Sequence, residues 1–480
     1  MNRFSQLRSA AVYILAGQGA GQILAIVRNV VVARLISPFD FGIAAAIAAT
    51  LSVLEMASDV SLEKLIIQAQ DGDDPVLQGV CHTLMLIRGL VLSALLFLAA
   101  PFVAEFFSVP EAVSTFQCLA LAPLVRGFSH LDVKRFQREL QFRADTDTVV
   151  LAQAFGVLAA IVGAMWLGDY RAMLVAILVQ SAILTAGSHL RAERAYRLAW
   201  DEVIVSRSLV FAWPLMANGI VIAISGQMDR FLVGGMLGVE PLAIYAVALL
   251  LVTSPTLIAT KLVGALALPI LSKLQHERDK FFEEYRRVGA VIFLSALPIF
   301  IPLAFLGAEL VELLFGSAYA LPGGLIPWLS LGLGLRYVRG WPVVASLARG
   351  DSKNILAVNV VRIAGVAAGY VAINQGAGIV GMAAGLVLGE VLAYVSGVMR
   401  QNRKSQMPLW TGTGLFAVFF ICCSVPVLFA GQIVELGLSL SILAAAVWTT
   451  LSTLAVLLVS RESRTISLML LNRLGRRQRC

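Results

Sequence analysis

Apolar and polar positions along this chain are segregated rather than interleaved: long apolar runs are separated by short polar breaks. Cutting at polar clusters and at Gly or Pro breaks yields fourteen runs. They lie at about 10–36, 41–62, 80–100, 113–131, 146–167, 171–189, 208–235, 242–264, 288–306, 323–347, 355–373, 378–399, 411–430 and 438–459. Most have the roughly 20 residues that a helix needs to cross about 30 Å of hydrocarbon. In lipid, a backbone must satisfy its own polar groups, and a helix does so within one segment. The expected fold is therefore all-α: a polytopic membrane protein of about fourteen transmembrane helices. Run 113–131 is weak, because Arg126 falls inside it. Composition agrees: 59% of the 480 residues are hydrophobic and 14% are charged, against about 25% charged in soluble domains. Two arginines precede the first run, as in a signal peptide. The run continues to Ile36, too long for a cleaved segment, so it reads as an uncleaved first span.

The charges supply orientation. With the N-terminus on the cytoplasmic side, 27 of the 37 Lys and Arg residues fall in cytoplasmic segments and only Arg171 falls opposite. A missed span would invert every later loop, so this asymmetry places both termini in the cytoplasm. The net charge of +8 is dispersed between spans, so it reports topology and not nucleic-acid binding. The basic loops and the tail at 472–480 attract anionic lipid headgroups. Outer loops are short, the longest covering 307–324, so the work of the protein falls within the bilayer. Five cysteines, Cys81, Cys118, Cys422, Cys423 and Cys480, form no C-x-x-C pair. They read as structural thiols, neither a disulfide framework nor a metal site.

An internal repeat is visible. The stretch from Ile26 lies over the stretch from Met228, with Arg28 on Arg230. Each copy runs on through apolar residues into a short turn with Pro and an acid, Ser37–Asp40 in the first and Val239–Pro241 in the second. The offset spans six runs, an even number, which predicts a parallel repeat about an axis along the membrane normal, with a midplane site between halves. The implied organisation is a six-helix lobe at 1–190 and an amphipathic cytoplasmic linker at 191–207. A second six-helix lobe follows at 208–400, then two extra helices and a basic tail at 401–480. The two pseudo-symmetric lobes would enclose a central cavity.

Several stretches carry a resemblance to the multidrug, oligosaccharidyl-lipid and polysaccharide exporter superfamily, and within it to polysaccharide and O-antigen flippases. They are the Leu-x-Ser-Pro-x-x-Phe-Gly pattern at Leu35–Gly42, Arg-Glu-Leu-x-Phe-Arg at Arg138–Arg143 and Pro-x-Leu-Ser at Pro269–Ser272. Leu-Leu-Phe-Gly at Leu313–Gly316 and a small-x-Gly-x-x-Lys turn at Ala348–Lys353 complete the set. The resemblance implies two six-helix lobes around a cavity. It implies export of an undecaprenyl-diphosphate-linked oligosaccharide from the cytoplasmic to the outer leaflet of a bacterial inner membrane. It also implies no cofactor, a proton or sodium gradient as energy source, and a polysaccharide polymerase and chain-length machinery as partners.

Nine basic residues lie inside the spans: Arg28, Arg34, Arg88, Arg126, Arg230, Lys261, Arg336, Arg339 and Arg362. At about 2.5–3.5 kcal/mol each at a helix centre, nine facing lipid would cost on the order of 20–30 kcal/mol. They must snorkel, pair or face a wet cavity. Arg34 reads as snorkelling. Arg28 and Arg230, equivalent in the repeat, would face one cavity, where guanidinium suits a diphosphate. Arg336 and Arg339 are three residues apart, hence on one helix face. With Tyr337 and Trp341 they suit an anionic sugar, or else mark a kinked, cytoplasmic helix end. Arg88 and Lys261 complete the cationic candidates. Among acids, Glu55 and Asp59 are read as one helix face, able to partner Arg28 or Arg88 or to carry a coupled proton. Asp229 adjoins Arg230. Glu390 is isolated in apolar sequence, a coupling candidate or a partner of Arg362. His82, His130 and His189 fall near span ends and His276 in a linker; interfacial placement or proton coupling are both open.

The excess of cations over acids favours an anionic, lipid-linked oligosaccharide as cargo. A drug exporter of the same architecture would call for an acidic cavity. A membrane glycan polymerase or ligase would call for a large outer loop, and the chain has neither that nor a nucleotide-binding or nucleophile motif. A transporter, not an enzyme, is expected.

Overall fold

The computed structural model describes residues 3–405, 413–435, 437–460 and 462–465; the basic tail and Cys480 lie outside them. In chain order the helices are α1 (Arg3–Leu35), α2 (Pro38–Ala57), α3 (Leu62–Gln68), α4 (Pro75–Phe106), α5 (Val113–Leu119) and α6 (Leu121–Gly127). Next come α7 (Asp132–Arg135), α8 (Arg143–Leu167), α9 (Arg171–Leu190), α10 (Glu202–Leu237), α11 (Val239–Lys273) and α12 (Arg278–Phe315). The last six are α13 (Leu325–Ala348), α14 (Ser352–Asn374), α15 (Gly378–Ser405), α16 (Thr413–Leu428), α17 (Ala430–Glu435) and α18 (Leu438–Val459). Every expected span coincides with a helix or a broken pair. Among the described residues ten helices are long and apolar enough to cross a membrane: α2, α4, α8 to α12, α14, α15 and α18. The other four spans fall short for local reasons in three cases. The run 113–131 is split into α5 and α6, where Pro123 cannot return a hydrogen bond to Leu119. Helix α16 has only 16 residues. Helix α13 carries Arg336 and Arg339 and buries most of its length inside the protein.

Helix starts follow from sequence. Pro38 and Pro75 occupy first-turn positions, and Ser37 and Asp74 accept the backbone N–H groups of Asp40 and Val76. Helix α2 stops at Ala57, because Ser58 turns its backbone N–H and its Oγ back to the Leu54 carbonyl. In the basic turn before α8, Arg138 donates to the carbonyls of Ile66, Ile67 and Ala69 at 2.6–3.1 Å, capping the C-terminal end of α3. The Arg-Glu-Leu-x-Phe-Arg stretch thus does a structural job in this chain.

The contacts divide the chain into two compact units, Met1–Ala246 and Val247–Cys480. In the first, α1 packs on α8, α8 on α9, α4 on α5 and α6, and α6 on α9. Helices α2 and α10 run antiparallel: Gly42 lies against the Val239 carbonyl at one end, and Gly219 against the Met56 carbonyl at the other. Only a residue without Cβ permits that approach, since a Cβ on Gly42 would fall 1.9 Å from the Val239 oxygen. In the second unit, α12 packs on α13, α16 and α18, α13 on α15, and α14 on α15. The α14–α15 seam is made of glycines spaced by four: Gly365 and Gly369 face Gly385 and Gly389. Lipid tails are as apolar as leucine, so association here rests on close backbone packing, which small residues allow. The lipid-facing surface is apolar in turn; Leu90, Leu95, Leu98 and Phe102 all point outward from α4.

Helix order repeats. Helices α2, α4, α8 and α9 begin at residues 38, 75, 143 and 171, and α11, α12, α14 and α15 at 239, 278, 352 and 378, an interval of roughly 200–210 residues that matches the sequence repeat. Packing pairs repeat with them: α8 with α9 and α14 with α15, α6 with α9 and α13 with α15. The equivalence ends at the helices carrying Arg28 and Arg230: α1 lies on α8, whereas α10 lies on α2.

Candidate cargo and coupling site

The expected charged residues fall into separate constellations. In the first unit, Glu55 on α2 pairs with Arg126 on α6, whose Nε also donates to Ser181 Oγ on α9 at 3.0 Å. Arg126, a blemish on a transmembrane span in the sequence, is thus the counter-charge of Glu55, one of the acidic candidates. Arg88 lies beside Glu55, as one of its expected partners, but meets its backbone and not its carboxylate. It donates to the Glu55 backbone carbonyl at 3.1 Å and to Ser58 Oγ at 3.0 and 3.2 Å, and so ties α4 to the C-terminal end of α2. Asp59 departs from the one-face reading: α2 has already ended, and its carboxylate accepts Ser61 N–H and Oγ–H and lies 4.0 Å from Lys64. Ser61 has φ of +47°, so the chain turns sharply there and the Glu55–Asp59 helical register is lost.

Asp229 is buried, and its Oδ2 accepts a 2.9 Å hydrogen bond from Tyr245 Oη on α11. Arg230 lies 3.8 Å from Asp229 and directs its Nη1 to the Gly226 carbonyl at 3.1 Å and to Gln227 Oε1. Gln227 donates on to Ser52 Oγ of α2 at 2.9 Å. Arg230 is therefore woven into the α2–α10 seam. Arg28 differs from its repeat counterpart: its Nε is buried, and among the described residues Arg28 makes no hydrogen bond and no ion pair.

In the second unit, Glu390 on α15 is buried between two arginines. Arg339 Nε on α13 donates to it at 2.8 Å, and Arg362 Nε on α14 lies 3.8 Å away. The expected partner, Arg362, is present, but Arg339 is the closer one. This separates Arg339 from Arg336, which is exposed. Nor do the aromatic neighbours form an open sugar platform: Trp341 is 1% exposed, stacks on Tyr285 at 4.3 Å and donates its indole N–H to the Tyr285 carbonyl. Gly289 leaves the space its ring fills. Tyr337 is buried and its hydroxyl meets Ser295 at 2.8 Å. Lys261 is exposed on α11.

Sequence reasoning missed Arg126, Tyr245 and Gln227 as partners. Each meets its carboxylate or guanidinium within or between helices through packing that no spacing rule anticipates, although Arg126 inside an apolar run was itself a signal. Electrostatically, Glu55, Asp229 and Glu390 are each engaged, and the second unit shares one carboxylate between two guanidiniums. The candidate residues named from the sequence hold more basic than acidic groups.

The architecture shows an all-α membrane fold shared with solved multi-span proteins. It is similar to the inward closed structure of the lipid II flippase MurJ, with a TM-score of 0.69 at 12% identity, covering 92% of this chain and 98% of that one. It is also similar to an inward-facing multidrug resistance MATE transporter, with a TM-score of 0.62 at 16% identity over 81% and 96% of the two chains. More particularly, residues 31–321 match the profile of a family described as polysaccharide biosynthesis protein, and the chain belongs to that family. Relatives include the teichuronic acid biosynthesis protein TuaB of Bacillus subtilis, 22% identical over 55% of each chain. The succinoglycan biosynthesis transport protein ExoT of Rhizobium meliloti is 21% identical over 64% of this chain and 62% of its own. The lipopolysaccharide biosynthesis protein WzxC of Escherichia coli gives the same figures. The matches span about 55–62% of the length of these relatives.

Proposed function

We propose that this protein is a flippase that carries a lipid-linked, diphosphate-bearing oligosaccharide, such as an undecaprenyl-diphosphate glycan, across the bacterial inner membrane for polysaccharide export. The observation that carries the reading is Arg28: a guanidinium with a buried Nε in α1, without a partner among the described residues, while Glu55 and Asp229 of the same unit are already engaged. An unpaired cation within a membrane helix is costly, and an anionic cargo offsets that cost in the loaded state. A relative named a succinoglycan biosynthesis transport protein and the family membership support the same reading. Movement is by alternating access of two six-helix lobes, 1–190 and 208–400, joined by the linker at 191–207. The energy source is a proton or sodium gradient, with Glu390 between Arg339 and Arg362 the candidate to sense it. Polymerase and chain-length machinery would receive the flipped glycan.

The test is flipping of a fluorescent lipid-diphosphate oligosaccharide in proteoliposomes. Charge-assisted hydrogen bonds contribute about 1.5–3 kcal/mol, so Arg28→Ala should slow flipping on the order of tenfold to a hundredfold at unchanged protein level. Arg28→Lys should retain part of the rate. Wild-type rates in Arg28→Ala, or uptake of cationic drugs with no flipping, would sink the proposal.

A further inference from the structure

Three of the four histidines, unrelated to any candidate cargo residue, meet at one place. His82 on α4, His130 before α7 and His189 at the end of α9 surround Tyr196 of the 191–201 strap, with ring centroids 4.4–5.6 Å apart. The strap leads directly into α10. It is pinned by side chains to the first unit along its length. His82 Nδ1 bonds the Arg197 carbonyl and His130 Nε2 bonds the Arg194 carbonyl, both at 3.0 Å. The buried Asp132 carboxylate accepts the Glu193 and Arg194 N–H groups, and Thr83 Oγ1 donates to the Ala199 carbonyl.

The second nitrogen of each pinning ring is also taken. His82 Nε2 accepts from Leu131 N–H and His130 Nδ1 accepts from Asp132 N–H, both at 3.1 Å. Each ring therefore donates to a strap carbonyl with one nitrogen and accepts a backbone N–H with the other. Only the neutral imidazole can do both. A protonated ring would point an N–H at an N–H, and protonating both rings would bring two charges to about 5 Å from one another. His189 is different: its Nε2 bonds the Phe128 carbonyl, it is exposed, and it makes no contact with a strap carbonyl.

We propose that this histidine cage is a pH-operated latch, in which neutral His82 and His130 hold the strap, and proton uptake by either ring releases it together with the N-terminal end of α10. The charged groups facing the cage come from every side. Asp132 and Arg135 come from α7, Glu193, Arg194 and Arg197 from the strap, and Asp73 from the loop before α4. Arg135 lies 2.7 Å from Asp132 and also reaches Glu193, and so offsets much of the pull that the Asp132 carboxylate exerts on the rings. Burial, then the neighbouring His189, push His130 below the ordinary imidazole range, against the opposing pull of the Arg194 carbonyl and Asp132. The sign follows. The held state favours the neutral ring, so holding is complete above the ordinary value of about 6.5 and weakens below it, by up to about tenfold per pH unit for each ring.

A nitroxide at Leu198→Cys, in a Cys118→Ser, Cys480→Ser background of the full chain in nanodiscs, reports strap mobility by its spectral line shape. The wild-type cage should restrain the label at pH 8 and free it at pH 5. The pair His82→Gln and His130→Asn keeps an amide oxygen to accept each backbone N–H and cannot titrate; it should stay restrained at both values. His189→Gln should leave the transition in place. No mobilisation in the wild-type cage, or a transition that survives in the double variant, overturns the latch. Should the double variant be mobile already at pH 8, His130→Asn alone decides. Its pH response must be clearly smaller than that of wild type, and an unchanged response also overturns the latch.

Discussion

At the residue scale, partner choice is what distinguishes one intramembrane charge from another. Arg28 and Arg230 occupy equivalent positions in the repeat, yet among the described residues one makes no polar contact and the other bonds Gln227 and Gly226. The spacing between Arg336 and Arg339 put them on one face, but Glu390 draws only Arg339 inward. Removing that acid takes the shared carboxylate away from both Arg339 and Arg362. Glu390→Ala should lower the thermal stability of the purified protein by about 3–5 kcal/mol, the usual cost of breaking a buried pair. Arg362→Met, which keeps the closer Arg339 contact, should cost less. Melting in detergent, followed by tryptophan fluorescence, gives the comparison; equal losses in both variants would contradict the assignment of Arg339 as the principal partner. That Glu390 needed a buried partner was legible in its isolation, whereas the identity of Arg339 was not, because the two residues lie 51 apart in the chain and meet only where α13 packs on α15.

At the element scale, glycines set how close helices come. The α2–α10 seam closes because Gly42 and Gly219 admit carbonyl oxygens where a Cβ would collide. Gly42→Val should therefore push α2 from α10 and break the Gln227–Ser52 hydrogen bond. The expected cost is about 1–3 kcal/mol from overpacking. In addition, a disulfide between Ser52→Cys and Gln227→Cys should form readily when Gly42 is kept and slowly when Gly42→Val is added. Comparable cross-linking rates would show that the seam tolerates the branched side chain. Helix positions were readable from apolar runs, whereas the starts at Pro38 and Pro75, set by the caps Ser37 and Asp74, lie ahead of the runs expected from 41 and 80. The early end of α2 was not readable. Ser58 competes for the Leu54 carbonyl, a local choice that hydropathy does not register, and it moves Asp59 off the face that Glu55 occupies.

At the scale of the whole molecule, charge asymmetry predicts orientation. A reporter active only outside the cytoplasm should be inactive when fused after Arg403 or at the C-terminus, and active when fused at Asp169 or Gly376. Activity at Arg403 would invert the topology. The chain alone determined the all-α membrane class, the repeat and the excess of cations. Insertion is decided segment by segment, by length, hydropathy and flanking charge, and all three are written locally in the sequence. Tertiary structure alone decided that Glu55 belongs to Arg126, that Trp341 is packed inside and not offered to a sugar, and that three scattered histidines close around Tyr196. Those outcomes depend on distant groups arriving at one point: Glu55 and Arg126 are 71 residues apart, Trp341 and Tyr285 56, and His82 and Arg197 115. In a protein whose helices all share the same apolar character, only packing geometry selects them.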